Sequence, residues 1–365
     1  MDNQPEPFIV YIGTYTRRES FVDGKAEGIY VYRMDPRTGA LTHAATVPGT
    51  VNPSFLVVSA GKDYLYAVNE LTAERGAHGT VTAFAIDPVT KNLNSLNKQS
   101  THGFAPCYLS IDDTGRFILV ANYESGSLCV LPIEADGRLG EATDVVQHHG
   151  SGLNAERQEG PHAHMILSGP DCRTIFTVDL GIDKILPYDL DRQHGKLLPI
   201  DSAVTQLAPG TGPRHLTFHP NGRFAYVISE LQSTVISFRI GARRGTLEEL
   251  QTVSTLPAGF TGENSGAEIQ AAPSGRFVYA SNRGHDSIAI FAVDEATGTL
   301  SLVGHEPTQG VGPRNFAIDP SGMFLLVANQ DSDTIVTFRI DQETGQLRQA
   351  GDVADAPTPV CIQFA

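Results

Sequence analysis

One stretch of sequence recurs along this chain and limits what it can fold into. From Gly212 it reads Gly-Pro-Arg-His-Leu-Thr-Phe-His-Pro-Asn-Gly-Arg-Phe-Ala-Tyr-Val, a strand, a Pro-Asn-Gly turn and a second strand. The pattern returns from Pro53, Pro106 and Pro313, with looser copies near Ala163 and from Gly266. Each copy runs into a third strand-like segment: 80–87, 127–133, 184–190, 234–240, 287–293 and 334–341. A fourth follows a turn such as Gly245-Thr246-Leu247, Gly298-Thr299-Leu300 or Gly345-Gln346-Leu347. Four antiparallel strands in a unit of roughly 46 to 57 residues is the pattern of a propeller blade. No helical pattern of about 10 to 15 residues in length intervenes, which excludes an α/β fold.

Six complete copies leave two fragments. Residues 8–16, 28–35 and 40–46 match the second, third and fourth strands of a blade, and 358–364 match a first strand. Joined, they make a seventh blade closed by both ends of the chain, a device that removes free sheet edges. The expected fold is an all-β, seven-bladed propeller forming one domain over residues 1–365. The 36 Gly and 22 Pro, scattered singly, suit its many turns.

Charge narrows the partners. A net charge of −15 repels phosphate backbones, so nucleic acid is not expected. No apolar run approaches the ~18 residues needed to span a bilayer, so no membrane partner is expected either. Met1 to Pro7 is polar, with neither a basic segment nor an apolar signal core. The four cysteines (Cys107, Cys129, Cys172 and Cys361) are widely spaced and read as buried free thiols of a reducing cytoplasm. Oligomeric state is not readable from these features.

Function is sought where blades differ. Asn69, Asn122, Asn282 and Asn329 close the second strand in four blades, and a side chain repeated this way reads as architecture that ties down the next turn. The residue after the strand-opening position, in contrast, is Ser54, Cys107, His164, Arg214, Ala267, Arg314 and Val360 in turn. The next is Phe55, Tyr108, Met165, His215, Glu268, Asn315 and Cys361. These residues begin the innermost strands and converge on one rim of the central channel. Counting outward from the hairpin turns sets Arg214 opposite Glu230, Glu268 opposite Arg283, His164 within a residue of Asp179, and Arg314 opposite Gln330. Arg314 reads as a tie between blades. The set His164, Arg214, His215, Glu230, Glu268 and Arg283 crowds charge into one sector, which is costly unless the groups are paired or used. The connection 150–160 is longer than a strand link requires, and it brings Arg157 and His162 toward the same mouth.

Several of these segments resemble one known family. Tyr11-Ile12-Gly13-Thr14-Tyr15-Thr16, Arg157-Gln158 with Pro161-His162-Ala163-His164, Gly212-Pro213-Arg214-His215, Val227-Ile228-Ser229-Glu230-Leu231 and Ala280-Ser281-Asn282-Arg283 are similar to the propeller-type lactonases. That family includes bacterial 6-phosphogluconolactonases and fungal carboxymuconate-lactonising enzymes. The resemblance, which spans essentially the whole chain, implies a site of one histidine (His162 or His164), Arg214, Glu230 and Arg283. The blade comparison favours His164.

The expected activity is hydrolysis of a small anionic lactone, most directly 6-phosphoglucono-1,5-lactone of the pentose phosphate pathway. Water is activated by His164 or Glu230, Arg214 stabilises the oxyanion, and Arg283 with Arg157 grips phosphate or carboxylate. His162, His215 and Glu268 complete the substrate-binding set. A carboxymuconate substrate or a non-catalytic binding platform are the alternatives. No cofactor or metal is required, although Glu268, Asn69, Asn122 and Asn282 could imitate a calcium set.

Overall fold

The computed structural model describes residues 6–365, so most of the polar segment Met1–Pro7 lies outside the described residues. The chain forms seven four-stranded antiparallel sheets, each a blade. The blade of residues 213–254 is representative, with Pro213–Phe218, Phe224–Ser229, Thr234–Ile240 and Leu247–Ser254 paired in that order. First strands of neighbouring blades touch one another around the whole ring, which makes them the wall of the channel.

Burial explains the strand compositions. Second strands such as Phe117-Ile-Leu-Val-Ala-Asn122 are buried along their full length, because neighbouring blades pack on both faces. They accordingly read as continuous apolar runs. Fourth strands such as Leu247–Ser254 alternate toward solvent. Seven apolar clusters result, each shared by two adjacent blades. The Gly-x-Leu turns belong to this packing. Gly298 and Gly345 have φ of +80° and +73°, and a Cβ there would lie 2.3 and 2.4 Å from the rings of Phe224 and Phe277 in the preceding blade. Only glycine meets both demands.

Closure follows the expected plan. Pro359–Phe364 is the innermost strand of the blade continued by Phe8–Thr14, Gly28–Met34 and Leu41–Pro48, with Ile12 opposite Ile362 and Val10 opposite Phe364. The recurring asparagines are structural. Asn122 Nδ2 reaches Thr101 O and Ser127 Oγ, and Asn282 Nδ2 reaches Thr255 O and Ser287 Oγ. Each one ties the following turn, as expected, and also the connection that enters its own blade. Cys107, Cys129 and Cys361 are buried free thiols, whereas Cys172 is exposed at a turn and corrects the expectation for that residue. Among the described residues no helix is long and apolar enough to cross a membrane.

One element was not foreseen. Arg18–Glu19 pairs with Val22–Asp23 in a small hairpin inserted between the second and third strands of the closing blade. The unusual length of the link 15–27, against four residues at 123–126, was the available signal.

Candidate active site

A cavity of about 940 Å³ opens where the first strands begin and the second strands end. Two positions of the blade repeat supply its charged wall. The residue after the strand-opening position contributes Cys107, His164 and Arg314. The position at the end of the second strand, one past the recurring Asn or Ser, contributes Glu70, Tyr123, Glu230, Arg283 and Gln330.

A recurring bulge puts the first group there. The ladder slips between Pro106 and Tyr108, Ala163 and Met165, Pro213 and His215, and Pro313 and Asn315. Cys107, His164, Arg214 and Arg314 are the extra, unpaired residues, and a bulge re-aims such a side chain. Simple hairpin counting therefore misplaces the partners. Pro213 faces Ser229, and Arg283 faces Ser265 instead of Glu268, with Ala267 and Glu268 together opposing the single residue Ser281. Asp179 faces Ala163, and its carboxylate serves His148 Nδ1 at 2.6 Å and the His162 amide at 2.8 Å, leaving His164 alone. Arg314 makes no ion pair among the described residues. It ties its blade to the adjoining one through Tyr15, with Nη2 3.2 Å from the hydroxyl and its guanidinium 5.6 Å from that ring, and it also lines the cavity.

Glu230 and the arginines form the centre. Arg157 Nη2 lies 2.5 Å from Glu230 Oε1, while Arg214 Nε and Arg283 Nη2 each lie 3.0 Å from Oε2. Arg214 Nε is within ion-pair distance but is not aligned for a hydrogen bond. Burial would raise the Glu230 pKa, yet Arg283, Arg214 and Arg157 outweigh it and hold the carboxyl well below its usual range. Burial, with Arg283 and Arg314 nearby, pushes Arg214 down to about 10, and it remains a cation at neutral pH. Arg214 does not reach the cavity wall. It sits behind Glu230, donates to Ala267 O at 2.7 Å, and lines a small void beneath.

The histidines separate by depth. His164 is buried at the wall, with Nδ1 3.7 Å from Cys107 Sγ and Nε2 left for the cavity. Burial first, then Arg214, His215 and Arg314, drive its pKa well below the usual imidazole value, so it is neutral. His162 is not on the wall. Its ring stacks on Tyr123 at 4.6 Å, and its nitrogens meet Tyr123 O and Glu159 at 3.1 Å. His215 and Glu268 also lie outside it, one layer deeper, paired at 3.2 Å, with Asn315 on the other Glu268 oxygen. Neither Glu268 nor Asn69, Asn122 or Asn282 lines the cavity, so these residues do not assemble a calcium set there.

The long connection behaves as expected for Arg157. Gln158 is buried and anchors the loop to Leu180 O and Asp183 Oδ1, both at 2.8 Å. Arg157, half-buried, then spans Tyr123 to reach Glu230. The hairpin tip, Ser20–Phe21, overhangs the opposite side. Sequence reasoning missed Glu70 and Tyr15, although both occupy the blade position of Glu230. The outer rim is acidic, with Glu74, Glu124, Glu263, Asp286 and Asp331.

A closed seven-bladed ring with such a mouth defines a propeller enzyme, and the chain belongs to the family described as lactonase with a seven-bladed β-propeller, whose model matches residues 9–364. It is thus a lactonase, a carboxylic ester hydrolase. Among its relatives, a 6-phosphogluconolactonase of Bacillus subtilis (strain 168) is 38% identical over 357 residues, 98% of either chain. Another from Formosa agariphila is 37% identical over 304 residues, covering 82% of this chain and 85% of the relative. The solved structure of a periplasmic gluconolactonase from Pseudomonas aeruginosa superposes with a TM-score of 0.91 at 36% identity, over 98% of this chain and 99% of the other.

Proposed function

We propose that this lactonase hydrolyses 6-phosphoglucono-1,5-lactone to 6-phosphogluconate, as the names of its Bacillus and Formosa relatives suggest. One observation carries the reading. Arg157, Arg283 and Arg314 line the cavity with Arg214 just behind its wall, in a protein of net charge −15, and the buried carboxylates Glu230 and Glu70 offset only part of their charge. Such a surplus of buried cations favours an anionic ligand.

Roles follow from position. Arg283 and Arg157 grip the phosphate. Arg314, not Arg214, meets the oxyanion, because Arg214 stands behind Glu230 and holds that carboxylate charged. Glu230 is too strongly paired to act as base and orients the guanidinium groups. His164 offers a neutral imidazole to the substrate through Nε2.

Turnover of freshly generated 6-phosphogluconolactone, measured against its spontaneous hydrolysis, tests the reading. Wild-type activity lost in both His164→Ala and Arg283→Ala supports it, and wild-type rates in both would displace the site. The acidic rim favours a second substrate, unphosphorylated glucono-1,5-lactone, which matches the name of the Pseudomonas relative. The ratio of kcat/KM for the two lactones decides between them. The free thiols support a reducing compartment, and we place the enzyme in the cytoplasm.

A further inference from the structure

Opposite Glu230 the cavity holds a second carboxyl group that the roles above leave unused. Glu70 follows the second strand of the blade containing Tyr64–Asn69, and it is 4% exposed. One of its oxygens is fixed: Oε2 accepts from the Tyr15 hydroxyl at 2.9 Å and from Ser54 Oγ. Tyr15 in turn accepts from Arg314. Glu70 lines both the main cavity and the small void beneath, and Oε1 makes no hydrogen bond among the described residues.

We propose that Glu70 is the general base that takes the proton of the attacking water, a role that rests on the lactonase reading of the same cavity. A base needs an oriented lone pair open to the substrate, and Glu70 Oε1 supplies one. Its rivals are poorly suited. Glu230 is held by three arginines, and protonating His164 would add a cation beside Arg214 and Arg314.

Glu70 differs in its neighbours. The groups facing it are Tyr15 of the closing blade, Arg314 and Arg214 from across the ring, and the Cys107 thiol of the next blade. Burial raises its pKa, against the lowering by Arg314, Ser54, Tyr15 and Arg214. That shift brings a carboxylate nearer the working pH, where a base is more effective.

The chemistry balances. Water oxygen bonds to the lactone carbonyl carbon as one water proton passes to Glu70, and negative charge collects beside Arg314. Collapse of the tetrahedral intermediate breaks the bond from that carbon to the ring oxygen. The same proton returns from Glu70 to the ring oxygen, which restores the carboxylate. The new carboxylic acid then loses its own proton to solvent.

The test is the pH profile of kcat/KM on both lactones, corrected for spontaneous hydrolysis. Glu70→Gln is expected to lower kcat by ~10²-fold or more with little change in KM, and to abolish the acid limb. Tyr15→Phe removes a donor to the carboxylate, so the limb moves to higher pH. His164→Gln lowers kcat but keeps the limb. The proposal is overturned if Glu70→Gln retains both kcat and limb, or if His164→Gln is the variant that loses the limb. Should Glu70→Gln fail to fold, an unmoved limb in Tyr15→Phe overturns it equally. If the wild type turns over neither lactone, the substrate reading falls first, and the role of Glu70 falls with it.

Discussion

Replacing Glu230 by Gln probes the centre of the site, because it keeps the shape and removes one charge. Arg214 is 3% exposed and would then lie buried beside Arg283 and Arg314 with its nearest counter-charge gone. Removing one member of a buried ion pair typically costs about 3 to 5 kcal/mol. Unfolding entropy scales as about 2.1 cal/mol/K per residue, so a chain of this length loses roughly 4 to 6 °C in Tm.

The sign with pH is specific. The folded pKa of Glu230 is depressed, so its stabilisation is fully present above the unfolded value of about 4.3 and is lost as pH falls toward the folded one. Below that point the gap between wild type and Glu230→Gln should close by up to about 1.4 kcal/mol per pH unit. Urea unfolding of both proteins at pH 7 and pH 3 measures it. Equal stabilities at pH 7, or the same gap at both pH values, would refute the ion-pair account.

Three further outcomes are expected. Arg157→Ala should raise KM about 10- to 100-fold with kcat little changed, as loss of one charged hydrogen-bonding contact to the substrate implies, and steady-state kinetics reads this directly. Deleting residues 358–365 removes the innermost strand of the closing blade together with Cys361 and Ile362 from two interblade cores, so the protein should melt far lower or aggregate. A truncated protein that melts like the full chain would contradict closure by both termini. Cys172 has φ +53°, where Gly115, Gly222 and Gly275 occupy the same turn of other blades at +69° to +73°. Cys172→Gly is therefore expected to stabilise by up to about 1 kcal/mol in chemical denaturation, and a loss of similar size would show that the turn is unstrained.

Much of the architecture was legible in the amino-acid order. The repeat set the number of blades and strands, and the terminal fragments implied a blade shared by both ends. Turn glycines and second-strand asparagines were recognisable as architecture because they recur where backbone geometry recurs. The departures from the repeat pointed to the mouth that holds the cavity, and Arg157, His164, Glu230 and Arg283 all line it.

What escaped depended on the bulge and on depth along the channel. A misplaced turn centre and a one-residue bulge together displace the pairs beyond the bulge, so counting paired Glu268 with Arg283, whereas the folded chain gives Glu268 to His215 and Asn315. One layer of depth separates His164 at the wall from His215 below it, because they stand one position apart on the equivalent first strands of adjacent blades. The cluster around Glu230 joins side chains from three separate parts of the chain, and Glu70 meets Tyr15 across the closing blade. Periodicity determines which residues share a strand position, because that order is local. Which of them face one another over the channel is set by ring closure, when seven bulged strands are brought around a common axis.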